Sequence, residues 1–430
     1  MVYTGFSAVI AHGVGVATVL VLTPILVRHL GGVQFGIYAT ITSTAAWLGL
    51  AHLGLGPSVL NELSTESVLH SPRRGMAIVS SATALQLVIA GVTLLAIVAT
   101  SPLISWATVF NAPDELDRIV SAATLIMLVM VVLQIPLSLG RTAFEAHQRG
   151  YVTQGWQLAF HLLRLTTVLI TVALGGSLVV VILAMTAPAL VVRIAEYIHA
   201  FRISYPELRP RRGSVSWRKG RSLVGAGADF FVLALASQVI MSTDHLVISH
   251  VIGPAAVTPY AVTSSLTQLP TIITILALQA AWPAYREAAT TDIPWLRRTH
   301  RHMSVLGVGL AAVVGAILLF WGRDIIEWWA GPAAVPTFGL IAWMVGITII
   351  QGVLLPRERL LIGLGRTRFN ALIGAGNAAI NLPVSIALAK IFGSTGVAMG
   401  TAVGYLVLGG FILVATRRRL STLTATDEQA

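Results

Sequence analysis

Apolar segments long enough to cross a membrane follow one another along most of the chain. A helix needs about 20 apolar residues to span a hydrocarbon core of roughly 30 Å. Of the 430 residues, 56% are hydrophobic and only 10% are charged, which leaves too few polar groups to cover a soluble protein. Because the runs are continuously apolar rather than alternating, they favour helices over a β-barrel. The sequence therefore predicts an all-α polytopic membrane protein.

The hydrophobic pattern predicts twelve transmembrane helices, separated by short connections. The predicted spans cover residues 5–28, 35–57, 76–98, 119–139, 150–174, 176–200, 223–248, 257–283, 303–322, 335–355, 369–390 and 396–416.

Basic residues are distributed unevenly between the two sides of these predicted helices. The net charge is +11, and most arginines fall in alternate connections, including the run from Arg202 to Arg221 and the group Arg417 to Arg419. By the positive-inside rule these connections face the cytoplasm, which places both termini there as well. The charge is thus interpreted as a topology signal, and no nucleic-acid partner is expected.

Two connections resemble each other across the chain. The segments "HLGGVQFGIYA" (29–39) and "VIGPAAVTPYA" (251–261) align at a shift of 253 − 31 = 222 residues, which pairs Gly31 with Gly253 and Tyr38 with Tyr260. The same shift matches other predicted helix starts, and it predicts two parallel six-helix lobes. Even helix spacing would also produce the helix matches, but it explains the paired glycines and tyrosines less well. Gly31, Gly36 and Gly253 are expected to act as hinges in tight turns at the outer face.

This repeat divides the chain into a first lobe (1–200), a basic cytoplasmic linker (201–221), a second lobe (222–416) and a cytoplasmic tail (417–430). Pro206, Pro210 and Gly213 disfavour regular structure in the linker. We interpret the linker as a connector and topology anchor at the anionic inner leaflet, with docking of lipid headgroups as the alternative.

Ionisable residues inside predicted spans are the candidates for function, because they cost about 2.5–3.5 kcal/mol at the centre of a helix. Arg164 lies near the middle of the fifth predicted helix and shares one face with Gln157 and His161. This face is the strongest candidate for binding an anion. The alternative is a structural arginine that donates to carbonyls of a kinked neighbour.

Acidic and basic residues in other predicted spans are weaker candidates for function, or have a structural alternative of equal weight. Asp244 can carry a coupling proton or sodium ion, or pair with an arginine. Asp229 is a weaker candidate, because the first turn of a helix favours an acid anyway. Arg193 lies three residues before Glu196, a spacing that favours a local ion pair. Arg28 either faces a cavity or is anchored at the outer interface.

Motifs of catalysis are missing from the sequence. It contains no HExxH, Walker A or GxSxG motif, and its predicted outer loops are short. It also has no cysteine, which excludes disulfides and thiolate ligands. We therefore predict that the chain is not an enzyme and has no metal or cofactor.

Several segments resemble a known family. "TPILVRHLGGVQFGIYATITS", "LAHLGLGPSVLNELS" and "STDHLVISHVIGPAAVTPYAVTSS" are similar to the Wzx-type polysaccharide flippases of the multidrug/oligosaccharidyl-lipid/polysaccharide exporter superfamily. The residues that match the loose motifs of this family are Pro24, Leu30, Gly31, Gly36, Tyr38, Asp244, Gly253, Tyr260, Gly365 and Arg366. One position departs from the family: His52-Leu53-Gly54 replaces an Asp-Leu-Gly, and Asn61 stands where a basic residue is common.

The resemblance implies a flippase in the bacterial cytoplasmic (inner) membrane, which moves a polyprenyl-diphosphate-linked oligosaccharide outward by alternating access of two lobes. It implies that Arg164, Arg28 and Arg193, with His161, meet diphosphate or acidic sugars. Asp244, Asp229 and His52 would serve ion coupling with H⁺ or Na⁺. Membrane lipids and polysaccharide polymerases are the expected partners. The side chains expected to line the sugar path are Gln134, Gln157, Gln238, Gln268 and Asn377.

Two other functions remain open from the sequence. A cation-coupled multidrug exporter of the same fold would require a more acidic and aromatic cavity, whereas arginines here match or outnumber acids in the spans. A membrane enzyme of polysaccharide assembly, such as a polymerase or ligase, is disfavoured by the short outer loops.

Overall fold

The structure is a computed structural model that describes residues 2–65, 68 and 71–427. Within these ranges the side chains of residues 2–6, 229–230, 232–233, 236–237, 240–241, 280–283, 367 and 423–427 are not described. All regular elements of the described residues are helical, which confirms the predicted all-α class.

Among the described residues, several α-helices precede the basic linker. They are α1 (Val2–Ala46), α2 (Leu55–Leu63), α3 (Pro72–Thr100), α4 (Trp106–Phe110), α5 (Asp117–Leu133), α6 (Leu139–Ala146), α7 (Gly150–Ala173) and α8 (Leu178–Ile198). The helices that follow the linker are α9 (Trp217–Ser242), α10 (Asp244–Val251), α11 (Val257–Thr267), α12 (Leu269–Thr291), α13 (Ile293–Ala330), α14 (Phe338–Gly363), α15 (Thr367–Phe392) and α16 (Ser394–Asp427).

Ten helical stretches of the described residues are long and apolar enough to cross a membrane. The first, Ser7–His52, has 46 residues and contains most of the first two predicted spans. The predicted span 223–248 falls on α9 and α10, where several side chains lie outside the description. The chain is thus a multi-pass membrane protein, and the count of twelve spans stays a prediction, as does the cytoplasmic location of the termini.

The chain folds into two compact units. The first unit contains the residues up to Leu30 together with Thr40–Leu235, and the second contains Gly31–Ala39 together with the residues from Ala236 onward. In the first unit, α7 packs on α8, which also packs on α5. In the second unit, α15 packs on α16, and α14 packs on α12, α13 and α16. The predicted lobe boundaries at 200 and 222 stay a prediction.

The predicted turn glycines adopt two different roles. Gly31 interrupts α1 with φ 73° and ψ 171°, and Gly253 has a similar backbone with φ 124° and ψ 160°. Positive φ favours glycine because a side chain would clash with the backbone. Gly36, by contrast, is helical, and a Cβ atom on it would lie 1.8 Å from the Pro254 carbonyl oxygen. The prediction that Gly36 forms part of the turn is therefore wrong, because its small size serves a close helix contact instead.

We call the positive-φ turns at Gly31 and Gly253 glycine corners, and Gly331 forms a third glycine corner in the second unit. Gly331 has φ 96° and ψ 171°, and it opens a second copy of the sequence Gly-Pro-Ala-Ala-Val, first found at 253–257. A Cβ atom on Gly32 would lie 3.3 Å from Ala333, and the Thr258 hydroxyl donates to the Gly32 carbonyl oxygen at 2.6 Å. The corners therefore pack against each other at one end of the second unit.

The second predicted span is not one continuous helix. After α1 the chain forms a 3₁₀ helix over Trp47–His52, and Leu53 and Gly54 then adopt positive φ angles of 48° and 67°. A Cβ atom on Gly54 would lie 2.1 Å from the Gly227 carbonyl oxygen. The prediction of a single helix over 35–57 is thus wrong, because the backbone turns at Gly54 to approach α9 closely.

The basic linker is attached to the first unit. Its short turns include Pro206–Leu208, and Leu208 is buried at the position that a Gly75 side chain would occupy. The hydroxyls of Ser80 and Ser81 accept the backbone N–H groups of Arg211 and Ser216, each at 3.0 Å. Prolines therefore prevent a long helix here, as expected, while α3 fixes the path of the linker.

The corner at Gly54 can be tested by adding one methyl group. We expect Gly54→Ala to destabilise the protein by at least about 1–2 kcal/mol, the cost of a left-handed backbone for an L-residue, with a further cost from the clash at Gly227. Gly49→Ala is the matched control, because no atom lies within 4 Å of its added Cβ and its φ is ordinary. Thermal unfolding in detergent measures both. Equal melting temperatures for the two variants would contradict the close approach at Gly54.

Candidate functional site

A polar pocket lies within the first unit, where α7 and α8 face the end of α5 and the start of α6. Its volume is about 240 Å³. The pocket brings together three residues predicted from the sequence, Gln134, Gln157 and Arg193, although Gln134 follows the end of α5, Gln157 lies on α7 and Arg193 lies on α8. We call it the α7–α8 pocket, and its lining residues are Gln134, Arg141, Thr153, Trp156, Gln157, Phe160, Ala189, Val192, Arg193 and Glu196.

Helical spacing explains why α7 and α8 present these side chains together. Thr153, Gln157 and Phe160 follow one another at intervals of four and three residues, so they share one face of α7. Ala189 and Arg193 are related in the same way on α8. The Thr167 hydroxyl donates to the Ala184 carbonyl oxygen at 2.8 Å and links the two helices further along.

Two ion pairs set the charge of the α7–α8 pocket. Arg193 Nη1 lies 2.9 Å from Glu196 Oε2, so the ion pair expected from their spacing is present, and Arg141 Nε lies 2.7 Å from Glu145 Oε1. Glu196 is 2% exposed and has no hydrogen-bond partner for Oε1 among the described residues. A guanidinium carries five N–H donors, so each arginine keeps donors beyond its carboxylate that can bind an anion.

Arg164 borders this pocket through an aromatic neighbour. Its guanidinium carbon lies 4.9 Å from the centre of the Phe160 ring, and Phe160 lines the pocket. Nη2 of Arg164 approaches Nδ1 of His161 at 3.5 Å. His161 in turn packs against α1, where a Cβ atom on Gly15 would lie 2.8 Å from its Nε2. The predicted face of Gln157, His161 and Arg164 is thus partly occupied by α1, and it is Gln157 that reaches the pocket.

A second polar cluster surrounds Asp244 in the second unit. The Tyr260 hydroxyl donates to Asp244 Oδ2 at 2.5 Å, and Thr401 approaches the same oxygen at 3.4 Å. Asn381 donates to the Thr401 hydroxyl at 2.9 Å. Oδ1 of Asp244 has no hydrogen-bond partner in the described part of the chain. A carboxylate oxygen in this state can accept a proton or ligate a cation.

The backbone delivers these groups to one place. The predicted seventh span breaks after Ser242, so that Asp244 begins α10, and the corner at Gly253 then returns the chain through α11 with Tyr260. A cavity of about 220 Å³ lies beside the cluster and is also lined by Gln268, Gln351 and Tyr405. The alternative of an arginine partner for Asp244 does not occur among the described ion pairs.

Other predicted residues lie apart from these clusters. Arg28 is exposed near the end of the first segment of α1. Gln238 donates to the Ser242 hydroxyl at 2.5 Å. Asn377 is 5% exposed and packs against α16, where a Cβ atom on Gly404 would lie 2.1 Å from its Oδ1. His52 is the exception: it ends the 3₁₀ segment in the first unit, is half-buried, and lies close enough to Arg193 of the α7–α8 pocket to interact with it electrostatically.

Of the remaining predicted residues, Gln268 donates to the Ser264 hydroxyl at 2.5 Å and lines the cavity beside Asp244. The side chain of Asp229 lies outside the described residues. Among the side chains that are described, no group of three His, Cys, Asp or Glu residues is arranged to hold a metal ion.

The sequence reading missed several members of both clusters. The sequence patterns did not single out Arg141 or Trp156, yet both line the α7–α8 pocket. Tyr260 belongs to the repeat and to the family motif, and neither pattern predicts that it is the hydrogen-bond donor to Asp244. The available signal was the position of Tyr260 shortly after the Gly253 corner, which returns the chain toward Asp244. Thr401 lies 157 residues from Asp244, and nothing in the sequence connects the two.

An all-α chain with polar clusters among helices long and apolar enough to cross a membrane defines a multi-pass membrane protein. The model of the family described as "Polysaccharide biosynthesis protein" matches residues 4–288, and the chain belongs to this family. The Wzx-type resemblance is thereby confirmed. No curated protein sequence matches the chain.

Solved structures share the fold. A multidrug resistance MATE family transporter of the MOP superfamily in an inward-facing conformation is 14% identical, with a TM-score of 0.76 over 95% of this chain and 96% of that chain. A multidrug resistance MATE family transporter of the MOP superfamily in an outward-facing conformation gives a TM-score of 0.66 at 14% identity, over 98% of this chain and 95% of that chain. A MOP superfamily transporter from Pyrococcus furiosus, reported with a binding pocket of reverse polarity, gives 0.63 at 12% identity, over 98% and 94%. At these identities the likeness establishes the fold alone.

A double-mutant cycle tests the bond between Tyr260 and Asp244. We expect Tyr260→Phe and Asp244→Asn to show a coupling free energy of about 1–2 kcal/mol, because a hydrogen bond to a charged group contributes about 1.5–3 kcal/mol. Unfolding of the purified protein in detergent provides the four free energies. Tyr405→Phe is the control, because the Tyr405 hydroxyl accepts from Gln351 at 3.1 Å instead. Coupling of Asp244 to Tyr405 as large as its coupling to Tyr260 would contradict the assignment.

Proposed function

We propose that the protein is a flippase that moves a polyprenyl-diphosphate-linked oligosaccharide across the bacterial cytoplasmic membrane by alternating access. Its cargo consists of an anionic diphosphate, a polar sugar and a long apolar chain. The first two require donors and cations within the membrane, while the third can remain among the lipids. We propose no catalytic step.

The α7–α8 pocket is the observation that carries this proposal. It combines two arginines, Arg141 and Arg193, with amide groups of Gln134 and Gln157 and the aromatic face of Trp156. Arginine binds phosphate oxygens through paired N–H donors. Amides and an indole ring offer hydrogen bonds and an apolar face to a sugar. The family match over residues 4–288 includes this whole pocket.

We propose further that Asp244 couples this movement to H⁺ or Na⁺. The support is a carboxylate oxygen without a partner in the described residues, beside a cavity lined by hydroxyls and amides. Such a site favours a small cation, because few basic groups compete for the carboxylate. Membrane lipids and a polysaccharide polymerase are proposed partners. The alternative, export of a cationic drug, is an outcome of the first test below.

The charges of the α7–α8 pocket can be removed without leaving a buried ion unpaired. Breaking a buried pair on one side costs about 3–5 kcal/mol, so we use Arg193→Gln together with Glu196→Gln. We expect this double variant to flip polyprenyl-diphosphate oligosaccharide in liposomes roughly 10- to 100-fold more slowly, from the loss of one charged hydrogen bond. Arg164→Ala should also slow flipping, because it borders the pocket.

Arg118→Gln is the control for this assay, since Arg118 is exposed at the start of α5. Flipping by the double variant at the wild-type rate, with equal folding, would remove the pocket from the proposal. A wild type that does not flip the lipid but exports a cationic dye would replace the flippase by the drug-exporter alternative.

The coupling role of Asp244 predicts a specific loss. In liposomes that flip the lipid, an imposed proton or sodium gradient should accelerate the wild type, while Asp244→Asn should flip at a rate that no longer responds to the gradient. An amide neither titrates nor carries the charge that holds a cation. Asp324→Asn, at an exposed position of α13, is the control. A gradient response of Asp244→Asn equal to that of the wild type would exclude Asp244 as the coupling group.

A further inference from the structure

The second unit contains a groove that neither polar cluster uses. It lies between the start of α15 and the C-terminal half of α16, and its volume is about 770 Å³. Phe369, Val407, Phe411 and Val414 form apolar walls, and Arg366, Arg418 and Arg419 stand at one end. We call it the α15–α16 groove. It is larger than both the α7–α8 pocket and the cavity beside Asp244.

The residues of α16 that line this groove form one stripe. Val407, Phe411, Val414 and Arg418 follow at intervals of four, three and four residues, which places them on a single helix face. Phe411 is 57% exposed, and Val407 and Val414 are each 50% exposed. The stripe therefore presents apolar side chains to its surroundings for two turns and then becomes cationic.

The arginines at the cationic end have N–H donors that need hydrogen-bond acceptors. None of the three arginines has a carboxylate within ion-pair distance among the described residues. The Nε atom of Arg419 is buried and lacks a hydrogen-bond partner in the same part of the chain. A buried guanidinium nitrogen left in this state is costly unless an anion satisfies it. By the predicted topology, this end faces the anionic cytoplasmic leaflet.

From this juxtaposition we infer that the α15–α16 groove binds an anionic phospholipid of the cytoplasmic leaflet, with its phosphate at Arg366, Arg418 and Arg419 and an acyl chain along Phe411 and Val414. The stripe has apolar side chains followed by an arginine, which matches the apolar chain and the anionic headgroup of a phospholipid. A soluble anion would use the arginines but not the exposed apolar walls. A basic pocket between helices at the cytoplasmic side is the kind of site that anionic headgroups occupy. The inference does not depend on the proposed flippase function.

Two independent changes test the two ends of the site. The triple variant Arg366→Gln, Arg418→Gln and Arg419→Gln removes the charges. Gly410→Leu fills the groove, and it should not disturb the protein because no atom lies within 4 Å of a Cβ atom added to Gly410. Arg417→Gln is the control, since Arg417 is an exposed neighbour on the same helix that does not line the groove.

The experiment is native mass spectrometry of the purified full-length protein, titrated with phosphatidylglycerol or phosphatidylcholine of the same chains. We expect the wild type to bind phosphatidylglycerol more tightly, by roughly fivefold for each arginine that contacts the phosphate. The triple variant should lose this preference, Gly410→Leu should weaken binding of both lipids, and Arg417→Gln should match the wild type.

The results that would overturn the inference are equally definite. An unchanged preference in the triple variant excludes the arginines as the headgroup site. Unchanged binding in Gly410→Leu excludes the groove as the position of the chain. Inorganic phosphate that competes as well as the lipid would show that a soluble anion is the ligand. Arginine-dependent binding of polyprenyl diphosphate without binding of phosphatidylglycerol would replace the phospholipid by the lipid carrier.

Discussion

An unpaired backbone amide or carbonyl costs several kcal/mol in a bilayer, and this penalty governs where the chain can leave the helix. At the described corners, nearby groups form hydrogen bonds with backbone N–H and carbonyl groups. At the break in the second predicted span, the Leu53 N–H donates to the Leu50 carbonyl at 2.9 Å. At the Gly253 corner, the Gly253 N–H donates to the Ile248 carbonyl at 3.2 Å, and the Thr258 hydroxyl donates to the Gly32 carbonyl. The corners are therefore closed hydrogen-bonded structures rather than loose loops.

Polar chemistry is concentrated beside these interruptions. Asp244 begins a new helix and is separated from the end of α9 by one residue, Thr243, and His52 is the last residue of a 3₁₀ segment. Arg193 and Glu196 lie just before a π-helical turn at His199–Ser204. An interrupted helix leaves donors, acceptors and space near its ends, and these lower the cost of an ionisable side chain in the membrane. The backbone irregularities thus help to determine where a charged group can be tolerated.

The hydrophobic pattern predicted the fold class and most span positions, because continuous apolar runs have few alternatives in a membrane. It could not predict the break at Gly54 or the one before Asp244, since a single glycine or threonine changes the apolar average very little. It proposed Arg193, Gln134 and Gln157 as polar groups within spans, but not that they line one pocket. Which helix faces meet depends on packing between distant segments, and a hydropathy profile contains no information about such contacts.

The internal repeat includes the backbone corners at Gly31 and Gly253 but not the polar side chains of the two clusters. At the 222-residue shift, Gly31 and Gly253 have similar positive-φ backbones. The position that corresponds to Asp244, however, is Leu22 (244 − 222), and Thr401 corresponds to Val179 (401 − 222). In the other direction Arg164 corresponds to Ile386 (164 + 222). An acid cluster thus belongs to one half only, as does the arginine beside the α7–α8 pocket. A corner is specified by glycine geometry, whereas a site is specified by single polar side chains, so the corner recurs at this shift while the polar clusters do not.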